Sequence, residues 1–553
     1  MIISSFFCFL TLICLFGYSS VFKKIIEPKE DKIIFNEDIF YGIFFTIFFS
    51  LLINFFFPLK YFTLIFIFGG IFFFIQGYRK KIFQIKFKYY IFLIFLINFL
   101  IYYNGTNVDS PLYHLQQLNW MILHKINFGI TNLNIRFGVN SSWHSFIALT
   151  NIELFNLSLK YYLSSLIFSI VCYSIFFKKK YNTSDLYLFL SVSFLLTYSL
   201  IHPFVNGPIL NQLGNPEVDT VVMFLFIFSF YFFLKSYGED FKINSSKINL
   251  LIIIIFLAIT AKISNISLLF LLLLVLISNP NYKLFNLSNF LIFIVSIFWL
   301  IRSFFISGCF IFPIKITCLK TQWTDLEQTE YIAKVIQSFS RDTRLREKWT
   351  DFEHTIYSND WFLPWFNDYY LNTSILKISS ILSLIAFSIL ILIVIIDRFK
   401  NIKLQKIKVI FSLKIIIFFI ISIYIWLKAP EVRFGSGLII SLPCFILAVL
   451  INKLKLSKFF TQNTALISIF SLLLLVTLKH FHKFELNHLI LINKGNDLNK
   501  EHIKKIADVN GLEIYHSAQS KCSDFPKICV NNIKDNYEII QKFNYRIFKS
   551  TSH

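Results

Sequence analysis

The chain has 553 residues, 56% of them hydrophobic, with 71 phenylalanines and a mean hydropathy of +0.64. That composition excludes a soluble globular domain of this size. The formal net charge of +22 sits largely in lysine-rich loops between apolar runs, the pattern that orients membrane proteins, and gives no ground for a nucleic-acid partner.

Apolar runs of roughly 17 to 25 residues recur from end to end, each long enough to cross a bilayer as a helix that satisfies its own backbone. In chain order the predicted spans are 2–22, 39–57, 60–77 and 88–103, then 160–177, 185–204, 218–235, 247–260, 263–278 and 286–306, and last 374–397, 409–427, 437–452 and 463–479. The fold class expected is all-α, a polytopic membrane protein with about 14 transmembrane helices. The windows 247–260 and 263–278 are short and divided only by Ala261-Lys262, as a tight hairpin or two half-spans would be. The first window lacks a basic leader and a small-x-small cleavage site and reads as a span. The expected organisation is N-terminal helices over 1–103, an outer loop over 104–159, helices over 160–306, a large outer loop over 307–373, helices over 374–479 and a small outer tail over 480–553.

Lysine and arginine crowd the loops near 23–32, 79–88, 178–180, 235–247, 398–408 and 453–458, and all of these fall on one side when the spans are counted. That side is expected to be cytoplasmic. The opposite side receives the loops 104–159, 205–217, 307–373 and 428–436 and the tail.

The first outer loop opens on the stretch N-V-D-S-P-L-Y-H-L-Q-Q-L-N-W. Ser110 suits a helix cap and Pro111 a first turn. Leu112, Leu115, Leu118, Met121 and Ile122 recur at helical spacing, with Tyr113, Gln116, Gln117 and Trp120 on another face, which predicts an amphipathic helix on the membrane surface. Asp109 would stand at its N-terminus, where the helix dipole favours a carboxylate. Tyr113 and Trp120 also fit an interfacial aromatic belt, and His114 and His144 fit surface or packing roles. A second such element is expected from Ser141 to Leu154.

The second outer loop places Glu217 and Asp219 at a span mouth, where carboxylates are costly unless they line a polar pocket. Arg302 and Arg433 stand at two further span mouths. There a guanidinium either snorkels to head groups or clamps a lipid-linked phosphate bidentately. Of the eight cysteines, Cys309, Cys318, Cys522 and Cys529 fall on the outer side, and a Cys522–Cys529 disulfide is expected. No Cys-x-x-Cys pair or His-Glu-x-x-His motif is present.

Carboxylates and arginines gathered at a water–lipid boundary suit chemistry on a polyprenyl-phosphate-linked substrate. Asp109 with Tyr113-His114, then Glu217 and Asp219, then Arg433-Phe434 followed by Pro443, resembles the GT-C superfamily of polytopic glycosyltransferases. That superfamily includes the protein O-mannosyltransferases and the lipid A aminoarabinose transferases. A closer resemblance is to an uncharacterised bacterial multi-pass family associated with surface-polysaccharide genes. Its pattern is met by Asp109 to His114, Asn132 to Trp143, Trp299 to Pro313 and Ala429 to Phe434. The GT-C resemblance implies transfer of a sugar from a polyprenyl-phosphate donor to a glycan, lipid or protein acceptor on the periplasmic face of a bacterial inner membrane, with the C-terminus periplasmic. Asp109, Glu217 and Asp219 would be catalytic, and Tyr113, His114, Arg136, Arg302 and Arg433 would bind substrate. Asp109 reads as a general base; a divalent metal, Mg or Mn, is the one cofactor left open. Two other readings stand beside this one. The first is an O-antigen-type polymerase or ligase using Arg341, Arg344, Arg346 and His354. The second is a transporter or flippase of lipid-linked sugar, hinted at by Lys262 between two short spans.

Overall fold

The computed structural model describes residues 2–28, 33–84, 87–103, 109–154, 157–176, 181–201, 213–237, 245–342, 353–358, 360–399 and 406–479. In the tail it describes 502–509, 512–518, 522, 525–530, 537–542 and 545–550. Much of the lysine-rich loops, 178–180, 238–244 and 400–405, therefore lies outside the described residues, as do 202–212 of the second outer loop.

Every predicted window coincides with an apolar helix, from Ile2–Ile26 to Gln462–Leu478. Among the described residues, seven are long and apolar enough to cross a membrane; seven more are apolar but only 10–17 residues long. The helix Asp219–Ser236 is 94% buried at the centre of the bundle, whereas Ser374–Ile393 is only 22% buried. Phe68, Phe72, Phe293 and Leu384 face outward, each at least 62% exposed. Large apolar side chains in such number on an exterior mark a surface made for lipid, and the chain is a helical membrane protein.

The short pair around Lys262 is a tight hairpin. Helix Ser245–Ala261 ends at Lys262, a 3-10 turn Ile263–Ser267 reverses the chain, and helix Leu268–Ser278 returns. Tyr282 then donates to Asn249, close to the hairpin's start. Helix ends group as the charge map groups them. Lys23 pairs with Asp38 at 2.9 Å and Lys235 pairs with Glu37, while Asn249 reaches Glu27. Asp109, Asp219, Lys262 and Arg433 meet elsewhere.

Pro443 lies inside helix Val432–Lys453. Proline has no N–H, so the carbonyl of Ile439, four residues earlier, loses its helical donor. The Ser379 hydroxyl, from the neighbouring helix Ser374–Phe399, donates to that carbonyl at 2.5 Å. In lipid no water can replace it. Ser379→Ala is expected to destabilise the protein by about 1 kcal/mol, the scale of one interhelical hydrogen bond in a membrane. Thermal unfolding in detergent measures this.

The first outer loop departs from its predicted form. Ser110–His114 is a wide π-type turn running into helix Leu115–Leu123, and Asp109 precedes it without capping it. Ser110 lies inside the turn with its hydroxyl buried, so its expected capping role is not what the fold uses. The helix does not lie with one face in water. Leu115, Leu118, Met121 and Ile122 join the main core of the bundle, while Trp120 joins a second core with the tail. Its polar side chains are buried too: Gln116 and Asn119 bond to the tail, and Gln117 donates to Val139 O of the same outer loop. The second predicted element becomes helix Ser142–Thr150, buried throughout.

The tail corrects the all-α expectation for the far end of the chain. Strands Ile503–Val509 and Leu512–Ser517 pair antiparallel, and Ile528–Val530 adds parallel to the latter. A second hairpin pairs Tyr537–Lys542 with Tyr545–Ser550. The tail shares its core with the first outer loop: Leu512, Ile514, Ile528, Val530 and Phe548 pack with Trp120, Ile126, Ile130 and Phe137. The small outer tail is thus two small sheets whose core is completed by the rest of the protein.

Candidate functional site

Three helix starts and one helix break bring charge together at one end of the bundle. Asp109 stands before the π-turn of the first outer loop. Asp219 is the first residue of the central helix Asp219–Tyr237. Arg433 lies in the first turn of Val432–Lys453, with Glu431 before it. Lys262 is the break of the hairpin.

The contacts form one network. Arg433 Nη1 lies 2.5 Å from Asp109 Oδ2, and Arg433 Nε lies 2.9 Å from Glu431 Oε1. Lys262 Nζ pairs with Asp219 Oδ1, and the same ammonium stands 4.4 Å from the centre of the Phe434 ring. Arg433 and Asp109 keep 24% and 21% of their side-chain surface, so the pair is accessible from outside the fold. Aromatic groups brace Glu431: Trp426 Nε1 donates to its carbonyl at 2.8 Å, and the Tyr369 hydroxyl accepts from Val432 N–H at 3.2 Å. Trp365 Nε1 donates to Pro430 O at 3.2 Å. The A-P-E-V-R-F corner is therefore held rigidly. Burial lifts the Glu431 carboxyl above the ordinary carboxylate value even with Arg433 beside it.

Behind Asp109 lies a ring of aromatic and imidazole groups. The Arg136 guanidinium stands over Tyr113, 5.3 Å from its ring centre. Tyr113 and His114 rings are 4.1 Å apart, and His114 meets His144 edge to face at 5.1 Å. His144 Nε2 lies 3.1 Å from Pro216 O, which makes it the donor and leaves Nδ1 deprotonated. Burial first, then His144 and the neighbouring Lys262, Arg433 and Arg136, lowers His114 well below its ordinary value; burial chiefly lowers His144 to about 4. Both imidazoles are neutral at physiological pH. The expected surface or packing role for them resolves as packing: His114 is 6% exposed and His144 0%.

The His144 shift carries a pH dependence. Its folded value lies below the ordinary 6.5, so the unfolded chain binds the proton more readily and stability falls as pH drops from about 6.5 towards 4. The span corresponds to up to about 3 kcal/mol. His144→Gln, which keeps a donor for Pro216 O, is expected to flatten this slope in thermal unfolding between pH 4.5 and 7 (roughly the titration window).

Of the predicted site residues, Asp109, Asp219 and Arg433 are joined in the network, and Tyr113, His114 and Arg136 adjoin it. Glu217 is buried at 1% exposure, two residues before Asp219. Arg302 is engaged elsewhere: it is 3% exposed, its Nη1 donates to Asn140 Oδ1, and Asn140 and Trp299 exchange two further hydrogen bonds at 2.7 and 3.0 Å. It fastens the N-S-S-W segment to helix Leu287–Ser307. Arg341 likewise donates to Thr355 O at 2.9 Å and stands over Trp361, while Arg344 and Arg346 lie outside the described residues. The His354 side chain does too. Cys522 is disulfide-bonded to Cys529, and Cys309 to Cys318, a pairing the sequence reading left unassigned.

Glu431 and Lys262 complete the network without having been singled out for it. An acid two residues before the span-mouth arginine was the signal for the first. For the second it was a lone lysine between two apolar runs. Among the described residues no group of three or more His, Cys, Asp or Glu is arranged to hold a metal ion. Asp109, Asp219 and Glu431 are each met by a cation.

The profile of a family described as a domain of unknown function (DUF8201) matches residues 1–440. Comparison with curated proteins returned no match, and comparison with solved structures returned none. The matched region contains Asp109, Asp219, Lys262, Glu431 and Arg433, so the whole charge network lies inside it, and over that length the chain belongs to the DUF8201 family.

Proposed function

We propose that the protein is a GT-C-like membrane glycosyltransferase of about fourteen spans, taking a sugar from a polyprenyl-phosphate donor on the periplasmic side of a bacterial inner membrane. The observation that carries this reading is the meeting of Asp109 with Arg433, 324 positions apart, at helix starts on the lysine-poor side. Glu431, Asp219 and Lys262 surround them.

In this reading an acceptor hydroxyl is deprotonated by Asp109 as its oxygen attacks the anomeric carbon. The bond from that carbon to the phosphate oxygen breaks, and the phosphate leaves with the electron pair. Arg433 and Lys262 receive its charge, in a half-buried setting where a guanidinium acts more strongly than in water. Before substrate binds, Arg433 is paired with Asp109; an arriving phosphate competes for the guanidinium and frees the carboxylate. Glu431 holds Arg433 in place throughout. Glu217 and Asp219 assist by shaping the field at the same helix start. A divalent cation, Mg or Mn, brought in with the substrate phosphate would add charge stabilisation.

The experiment is a product analysis. Purified protein is given a labelled polyprenyl-phosphate sugar with membrane extract as acceptor. A single added sugar on the acceptor supports the proposal. A ladder of repeats would replace it with an O-antigen-type polymerase, and movement of the labelled lipid across vesicles without any acceptor would replace it with a flippase.

A further inference from the structure

Helix Leu115–Leu123 carries three polar side chains that a membrane-surface helix would leave in water, and two of them meet the tail. Gln116 is 1% exposed and Asn119 is 5% exposed. A buried amide is costly unless its hydrogen bonds are made. Here the tail makes them. Gln116 Nε2 and Asn119 Nδ2 both donate to Phe525 O, at 3.1 and 2.8 Å, and Cys529 N–H donates to Gln116 Oε1 at 2.9 Å. All three bonds land on the short loop closed by the Cys522–Cys529 disulfide.

The middle of the same outer loop is held by the other tail hairpin. Phe128 N–H donates to Arg546 O and Phe548 N–H to Phe128 O, each at 2.9 Å. Asn132 Nδ2 donates to Phe548 O at 2.6 Å. Trp120 packs edge to face on Phe548. Asp109 sits seven positions before Gln116 on one continuous helical segment, about two turns away, so what fixes Gln116 also fixes Asp109.

We propose that the tail is a positioning clamp: its disulfide loop grips Gln116 and Asn119 and thereby sets the register in which Asp109 meets Arg433. Gln116 and Asn119 are positioning residues, acting through the helix and not on substrate. The tail lies beyond the matched residues 1–440, so the clamp is added to the family's charge network from outside it. The proposal rests on the Asp109–Arg433 pair, and for its kinetic consequence alone on the glycosyltransferase reading.

The test uses the full-length protein in detergent. A thermal double-mutant cycle of Asp109→Asn with Arg433→Gln is measured in the wild-type background and in Gln116→Ala/Asn119→Ala, which leaves the disulfide and both tail sheets intact. Coupling between Asp109 and Arg433 is expected to fall about fivefold when the grip is removed, since coupling energy depends on contact geometry. Hydrogen exchange of the segment 110–123 should rise about tenfold while 219–237 stays protected. Cys522→Ser/Cys529→Ser should reproduce both changes. Undiminished coupling in the Gln116/Asn119 variant would overturn the clamp, even if that variant melts lower, because lost stability alone does not alter the pair. Neither readout depends on transfer, so failure of the glycosyltransferase reading leaves this result standing by itself.

Discussion

Asp109→Asn is expected to give a folded, membrane-inserted protein with sugar transfer lowered by about three orders of magnitude, the scale of a lost general base. Folding survives because the substitution keeps shape and because Arg433 retains Glu431 at 2.9 Å. The guanidinium is therefore not left as an unpaired buried charge, the situation that usually unfolds such variants. The cost in stability is expected to stay near 1 kcal/mol, as for a half-exposed pair. Turnover of the labelled polyprenyl-phosphate sugar, alongside thermal unfolding in the same detergent, separates the two effects. Full turnover by Asp109→Asn would remove the carboxylate from the mechanism.

Arg433→Gln is expected to do more damage to the fold than Asp109→Asn, because one arginine serves several acids. Without it Asp109 and Glu431 lose their partner, and Lys262 is left as the cation of the group, already paired with Asp219. Leaving half-buried carboxylates uncompensated costs roughly 3 kcal/mol, the lower end of the range for broken buried pairs. The loss also acquires a pH sign. Burial raises Glu431 above its ordinary 4.5, and Arg433 is the first influence opposing that rise. Its removal pushes the folded value higher still. A folded state that binds the proton more tightly than the unfolded chain loses stability as pH climbs above the ordinary value. Arg433→Gln should therefore be closer to wild type at pH 5 than at pH 8 in thermal unfolding. A deficit that is the same at both would show that Glu431 is already neutral beside Arg433. Arg433→Lys tests geometry: an ammonium restores charge but cannot span Asp109 and Glu431 as a fork does, so stability should recover more than transfer.

Much of the bundle was legible in the residues. Phenylalanine, isoleucine and leucine runs set the helices because the bilayer demands both length and a self-satisfied backbone. Lys262 marked the turn of a hairpin, and the reversal itself needed the Asn249–Tyr282 contact to be seen. Arg302 misled: a span-mouth arginine looks the same in sequence whether it faces a phosphate or an asparagine, and Asn140 decides it. The helix after Asp109 was recognised by its stripe, but its polar face was assigned to water. Gln116 and Asn119 carry no sign that a backbone carbonyl 409 and 406 positions away will cover them.

The amino-acid sequence by itself determined that this chain is a helical membrane protein, where its apolar helices lie, which helix ends share a side, and that Asp109 and Arg433 are the unusual charges there. These are local properties: each follows from the period, length and charge of a short window. The tertiary structure alone decided that Asp109 meets Arg433, that Glu431 and Lys262 complete the group, and that the tail folds into sheets on the outer loop. Those are contacts between segments hundreds of residues apart, chosen by which buried polar groups find partners once the apolar faces are packed.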